Sequence, residues 1–247
     1  MTSTAETRHI GTGRPTTDLP LLLADLHLAQ RPGDEVRVRL DPVPDAGWTL
    51  QRADDLLVGA GFVPDAISWC DTGRVKVAAT RIRSLPDTVA PGLRLLVVGL
   101  NPSPSSADTA VGYHRGGNRF WPAVLEAGLA SVDREPRHAL RDHGLGMTDL
   151  VRRTTSRADA VAPAEYRTGA ERVERLVAWL RPRAVCFVGL GGWRTVVDRH
   201  AVAGVQERGF GGRPAYLMPH TSGLNAHSRL ADLVGHLRGA GRLADRS

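Results

Sequence analysis

Cysteine is almost missing from this chain. Cys70 and Cys186 are the two thiols among 247 residues, too few for a disulfide framework, a four-thiolate zinc site or an iron–sulfur cluster. Cys186 lies inside the apolar run Ala184–Val188, where a thiol acts as a small apolar side chain. Long apolar stretches are missing as well: none approaches the roughly 18–20 residues needed to span a bilayer. The first residues, with Glu6, Arg8 and scattered Thr, lack a secretory apolar core, so a cytoplasmic location is expected. There is no internal repeat and no long low-complexity tract.

What is present is enough for a sizeable core. Hydrophobic residues make up 42% of the chain, and its length suits one large domain or a domain with an extension. Basic residues number 32 against 26 acidic, a net charge of +6, which favours a polyanionic partner by long-range attraction.

The pattern divides the chain into a flexible tail (1–17), a small α+β extension (18–85), a linker with two prolines and a glycine (86–92), and a second unit (93–247). In the extension a strand (Glu35–Leu40) precedes a helix (Leu50–Gly61) and a hairpin (Ala66–Trp69 and Val75–Thr80). In the second unit, strands are predicted at Leu93–Val98, Met147–Val151, Ala184–Val188 and Ala215–Met218. Helices separate them: Glu165–Leu180, with Val173, Leu176, Val177 and Leu180 on one face, and another capped by Ser228 with Leu230, Leu233, Val234 and Leu237 in register. The predicted fold is a three-layer α/β/α arrangement around a mainly parallel four-stranded sheet, with the small extension attached.

Two polar loops leave the ends of core strands, where open α/β sheets build their sites. The first is Gly99-Leu100-Asn101-Pro102-Ser103. Pro102 holds the exit extended or turned, and the Asn101 carboxamide can position a water without being a strong base, or simply cap the turn. The second is His220-Thr221-Ser222-Gly223-Leu224-Asn225. Ser222 and Asn225 can donate to phosphate oxygens, and Leu224 can protrude as an apolar wedge. His220 and His227 lack the nearby carboxylate that would complete a metal set, so neither metal nor cofactor is expected. Between the loops, Tyr113 stands in a glycine-rich segment able to lay a ring on a planar ligand, while Asn118 opens the next helix. Phe120 and Trp121 suit the core; Arg115 and Arg119 suit either phosphate or solvent. Gly189-Leu190-Gly191-Gly192 fails the nucleotide-loop spacing and reads as a tight turn.

Residues from about Leu93 to Leu237 resemble the uracil-DNA glycosylase superfamily, closest to its mismatch-specific uracil/thymine branch. The branch's Gly-Ile-Asn-Pro-Gly motif has its counterpart in Gly99–Ser103, followed by Ser105-Ser106-Ala107 and Asn118-Arg119-Phe120-Trp121. Gly146-Met147-Thr148-Asp149-Leu150-Val151 is similar to the family's Gly-Val-Thr-Lys-Leu-Val. The second motif, Asn-Pro-Ser-Gly-Leu-Ser-Arg, aligns with His220–Ala226, except that His220 resembles the His-Pro-Ser-Pro-Leu-Ser motif of archetypal uracil-DNA glycosylases. The resemblance implies a DNA partner and a monomeric, monofunctional DNA-repair glycosylase that excises uracil by base flipping. It makes Asn101 and His220 catalytic, with Leu100, Ser103, Tyr113 and Asn118 around the base. Ser222, Gly223, Leu224 and Asn225 then contact DNA, Leu224 as the wedge. Such a fold can also serve a damage-recognition or architectural DNA-binding protein with little turnover.

Overall fold

In β2 (Glu35–Leu40), Val36, Val38 and Leu40 alternate with Glu35, Arg37 and Arg39, so one face of the strand is apolar. The computed structural model, which describes residues 7–156, 160–223, 225 and 227–247, pairs this strand antiparallel with β4 (Arg74–Arg81), Val38 opposite Val77. The hairpin partner β3 (Phe62–Asp71) and a three-residue β1 (Arg8–Ile10) complete a sheet in the order β1-β2-β4-β3. Its apolar face covers α1 (Leu19–Leu28) and α2 (Leu50–Gly59), through Leu19, Leu23, Leu26, Ala53, Leu56 and Leu57. The Thr49 hydroxyl caps α2 by accepting from the Arg52 amide at 3.0 Å.

The expected flexible tail is corrected for its later part: Arg8–Ile10 pairs parallel with β2, and Thr16 is buried. Three residues are too short for an alternation to register.

The second sheet runs β6-β5-β7-β9-β8. Its members are β5 (Leu95–Gly99), β6 (Leu145–Asp149), β7 (Ala184–Val188), β8 (Gly204–Val205) and β9 (Ala215–Met218). All pairs are parallel except β8 with β9. The sheet thus has five strands rather than four, because β8 is only two residues long. β6 begins two residues earlier than expected, since Leu150 and Val151 stay buried beyond its end and prolong the apolar signal. Every residue of β5, β6, β7 and β9 is buried, as parallel strands covered on both faces require.

Successive side chains go to opposite layers. Leu95, Val97, Cys186, Tyr216 and Met218 pack with α4 (Phe120–Glu126), α5 (Pro136–His143) and α8 (Leu230–Asp245). Leu96, Val98, Val185, Phe187 and Leu217 pack with α6 (Pro163–Leu180) and α7 (Leu190–Val196). Ser228 does not cap α8; Arg229 takes that place, its amide donating to Asp232 at 2.7 Å. Among the described residues no helix is long and apolar enough to cross a membrane.

The layer containing α6 is continuous with the core of the amino-terminal sheet. Asp55 of α2 receives both Nε and Nη2 of Arg175 at 2.8 Å, and the Arg52 guanidinium lies 4.4 Å above the Trp179 ring. Between the sheets, residues 84–87 run buried. There Asp87 accepts from Arg152 at 2.8 Å, Arg172 at 2.8 Å and the Thr148 hydroxyl at 2.7 Å. Arg152 also donates to the carbonyls of Gly59 and Leu85.

Removing one member of a buried ion network leaves uncompensated charge. Asp87→Ala is therefore expected to lower stability by about 3–5 kcal/mol in chemical denaturation. Asp245→Ala, which breaks the half-exposed Arg94 pair, is expected to cost less than about 1 kcal/mol.

Candidate active site

The chain leaves β5 toward β6 on one side and returns to β7 on the other, so the strand order reverses at β5. That crossing opens a crevice at the carboxyl ends of the strands. A cleft of about 1030 Å³ lies there, and each parallel strand contributes its end: Leu100 and Asn101 after β5, Thr148 and Asp149 of β6, Val188 of β7, His220 and Thr221 after β9. Asn101 and His220, far apart in sequence, thus line one cavity.

The Asn101 amide nitrogen donates to the Thr155 hydroxyl at 2.7 Å and lies 3.3 Å from the Arg153 carbonyl and 3.4 Å from that of Pro102. Three oxygens around the nitrogen fix which way the carboxamide turns. Its carbonyl oxygen is left to accept, which is what holding a water requires. His220 is exposed in the cleft, and its pKa is lowered by partial burial and by the Arg119 guanidinium. At neutral pH it is an uncharged imidazole with one N–H to donate.

Tyr113 sits in the left-handed region at φ +59°, a strained conformation for a non-glycine residue. Its ring stacks on Phe120, centroids 3.9 Å apart, while Phe120 and Trp121 are core residues. The Tyr113 hydroxyl is buried without a partner; burial and then Asp149 push its pKa well above 10. Asn118 lines the cleft and accepts from the Phe120 amide at 3.0 Å. Ser103 also lines it and caps α3 (Pro104–Thr109), accepting from the Ser106 amide at 3.2 Å. Leu100 packs against the Gly189–Gly192 turn, where a side chain on Gly192 would meet it at 2.7 Å.

In the second loop Ser222 lines the cleft. Asn225 is corrected from its expected phosphate contact: its amide donates to the His220 carbonyl at 2.8 Å and to the Ser228 hydroxyl at 3.1 Å. Both hydrogens serve the loop itself. Gly223 is needed for close approach, since a Cβ there would meet the Gly117 carbonyl at 2.8 Å. Leu224, the expected wedge, lies outside the described residues.

Sequence reasoning left Arg119 open between phosphate and solvent and missed Thr155 and Asp149. The Arg119 guanidinium donates to the carbonyls of Ser222 at 3.1 Å, Asn225 at 2.8 Å and Ser228, and its amide donates to Thr221 at 2.9 Å. It is the clamp of the His220 loop. No short-range signal announces such a role, because its acceptors are main-chain oxygens about a hundred residues away.

The fold is a three-layer α/β arrangement whose cleft carries an amide and an imidazole beside Asp149 and Arg152. The family model described as the uracil DNA glycosylase superfamily matches residues 86–236, and the chain belongs to that superfamily of DNA-repair glycosylases. Among solved structures, one from Methanosarcina acetivorans, determined by solution NMR and named as a candidate uracil DNA glycosylase, is 20% identical. The match covers 64% of this chain and 97% of that one, with a TM-score of 0.45.

Replacing Arg119 by Ala should free the loop it clamps. The Asn225 amide, bonded to Ser222 at 2.9 Å, is expected to exchange with solvent at least about tenfold faster. Arg119→Lys should not restore protection, because one ammonium does not reproduce a planar fork on several carbonyls. Unchanged exchange in both variants would remove the clamp.

Proposed function

We propose that this protein hydrolyses the N-glycosidic bond of uracil in DNA, including uracil opposite guanine, and leaves an abasic site. The observation that carries this reading is the convergence of an amide fixed by three oxygens and an uncharged imidazole on one cleft. The extruded base lies against the Tyr113 ring on the side away from Phe120, with Leu100, Ser103 and Asn118 around it. Flipping costs a few kcal/mol, less for a mispaired base. Leu224 filling the vacated stack, Ser222 at the phosphates and the basic surface offset that cost.

Water held by the Asn101 carbonyl oxygen attacks C1′ as the C1′–N bond breaks and its electron pair passes to the base. The sugar carries oxocarbenium character, and the His220 N–H donates to the base oxygen that gains negative charge. The single lysine, Lys76, lies in β4 and does not line the cleft. With no lysine amine there to form a Schiff base, the reaction stops at the abasic site. Pairing an Asn in the first motif with a His in the second sets the chain apart from the mismatch-specific branch it otherwise resembles.

On a labelled uracil-containing oligonucleotide, Asn101→Ala is expected to abolish base release while DNA binding persists. His220→Ala should slow release by about 10²–10³ with little change in binding, the usual loss for one oxyanion donor. Wild-type protein that binds such DNA and releases no base would instead be a damage-recognition protein on this fold.

A further inference from the structure

Asp149 ends β6 in register with Gly99 of β5 and lines the cleft, yet it is only 8% exposed. A side chain on Gly99 would strike the Asp149 Oδ1 at 2.1 Å and touch the unpartnered Tyr113 hydroxyl at 3.0 Å. No described residue donates a hydrogen bond to the Asp149 carboxyl. The nearby guanidinium groups are committed elsewhere: Arg152 to Asp87 and two carbonyls, Arg172 to Asp87, Thr148 and only the main-chain oxygen of Asp149. A buried carboxyl without donors is costly when ionised. As the neutral acid it presents an O–H at the wall of the cleft that it lines.

Resting on the glycosylase reading above, we propose that Asp149 is a further catalytic residue which, as the neutral acid, donates a hydrogen bond to a carbonyl oxygen of the extruded base. Its ionisation switches the site off. The base leaves with the electron pair of the C1′–N bond, so its oxygens gain negative charge while the Asp149 proton stays on Asp149. The attacking water's oxygen bonds to C1′ and its proton passes to solvent. An ionised carboxylate beside the departing anion opposes the same step by like-charge repulsion.

The charged and titratable groups around Asp149 are Arg152 after β6, Arg172 of α6, Asp87 of the crossing segment and Tyr113 of the glycine-rich loop, with His220 lining the same cleft. Burial, opposed by Arg152 and Arg172 and reinforced by the Asp87 carboxylate, raises the Asp149 pKa to about 6. The acid is therefore protonated below that value and lost as pH rises through it.

The test is single-turnover release of uracil from a single-stranded oligonucleotide across the range from mildly acid to mildly alkaline pH. Wild-type rates should be level below pH 6 and fall about tenfold per unit above it. Asp149→Asn keeps an N–H donor and cannot ionise, so its profile should lose that limb and exceed wild type on the alkaline side. A limb that survives Asp149→Asn, or a level wild-type profile, overturns the proposal. Should wild-type protein release no base at any pH, the glycosylase reading fails, and the carboxyl is then followed by carbon NMR titration with and without free uracil. A midpoint raised by uracil upholds donation to the base; an unchanged or lowered midpoint overturns it.

Discussion

One carboxylate joins the two halves of this molecule. Asp87 receives two guanidinium groups and a hydroxyl in a buried site, and those donors come from β6, its exit and α6. Through Arg152 the same site reaches the carbonyls of Gly59 and Leu85 in the amino-terminal half. Gly59 has no side chain because a Cβ would lie 2.5 Å from the Asp87 carboxylate. Two buried cations around one anion leave an excess of positive charge. The terminal nitrogens of both guanidinium groups donate to carboxylate, carbonyl or hydroxyl oxygens, while the Nε of each is buried without a partner among the described residues. Removing any member of such a network leaves an uncompensated buried charge, so it fixes the register between the two sheets more sharply than apolar packing alone.

That junction lies directly beneath the cleft. Thr148 and Arg152 belong both to the Asp87 network and to the cleft lining, and Leu85, Pro86 and Thr88 form part of the wall. Thr88 also pairs with Met147, its amide donating to the Met147 carbonyl at 2.9 Å. The family match begins at residue 86, whereas the floor of the site is tied to carbonyls that precede it. The carbonyls of Gly59 and Leu85 thus tie the amino-terminal half to Arg152, just past the end of β6.

Much of the fold could be read from periodicity. Continuous apolar runs gave the four parallel strands, and the stripe of Val173, Leu176, Val177 and Leu180 gave α6. β1 and β8, at three and two residues, are shorter than any period that could reveal them. Asn101 and His220 could be singled out because a polar residue at a strand exit is a local signal, and the structure places both on one cleft. The site was illegible where a role depends on partners distant in sequence. Asn225 looked like a phosphate donor because its amide is polar and its loop exposed; only the folded loop shows both hydrogens facing inward. Arg119 and Thr155 act through contacts that no local pattern encodes.

The electrostatic character of the cleft follows from these positions. On the reaction proposed above, its two leading groups, a carboxamide and a neutral imidazole, carry no net charge, so catalysis there relies on oriented dipoles rather than on a strong base. Fixed dipoles help a departing anion only if they are already aimed before the bond breaks. The structure supplies that aim by separate means: three oxygens hold the Asn101 nitrogen, and Arg119 holds the loop that carries His220. Arg119 also helps keep the imidazole uncharged, so one side chain sets both the position and the protonation state of the group at the cleft. A substitution that preserved its charge but not its fork would maintain the second effect while losing the first, which separates geometry from electrostatics at this site.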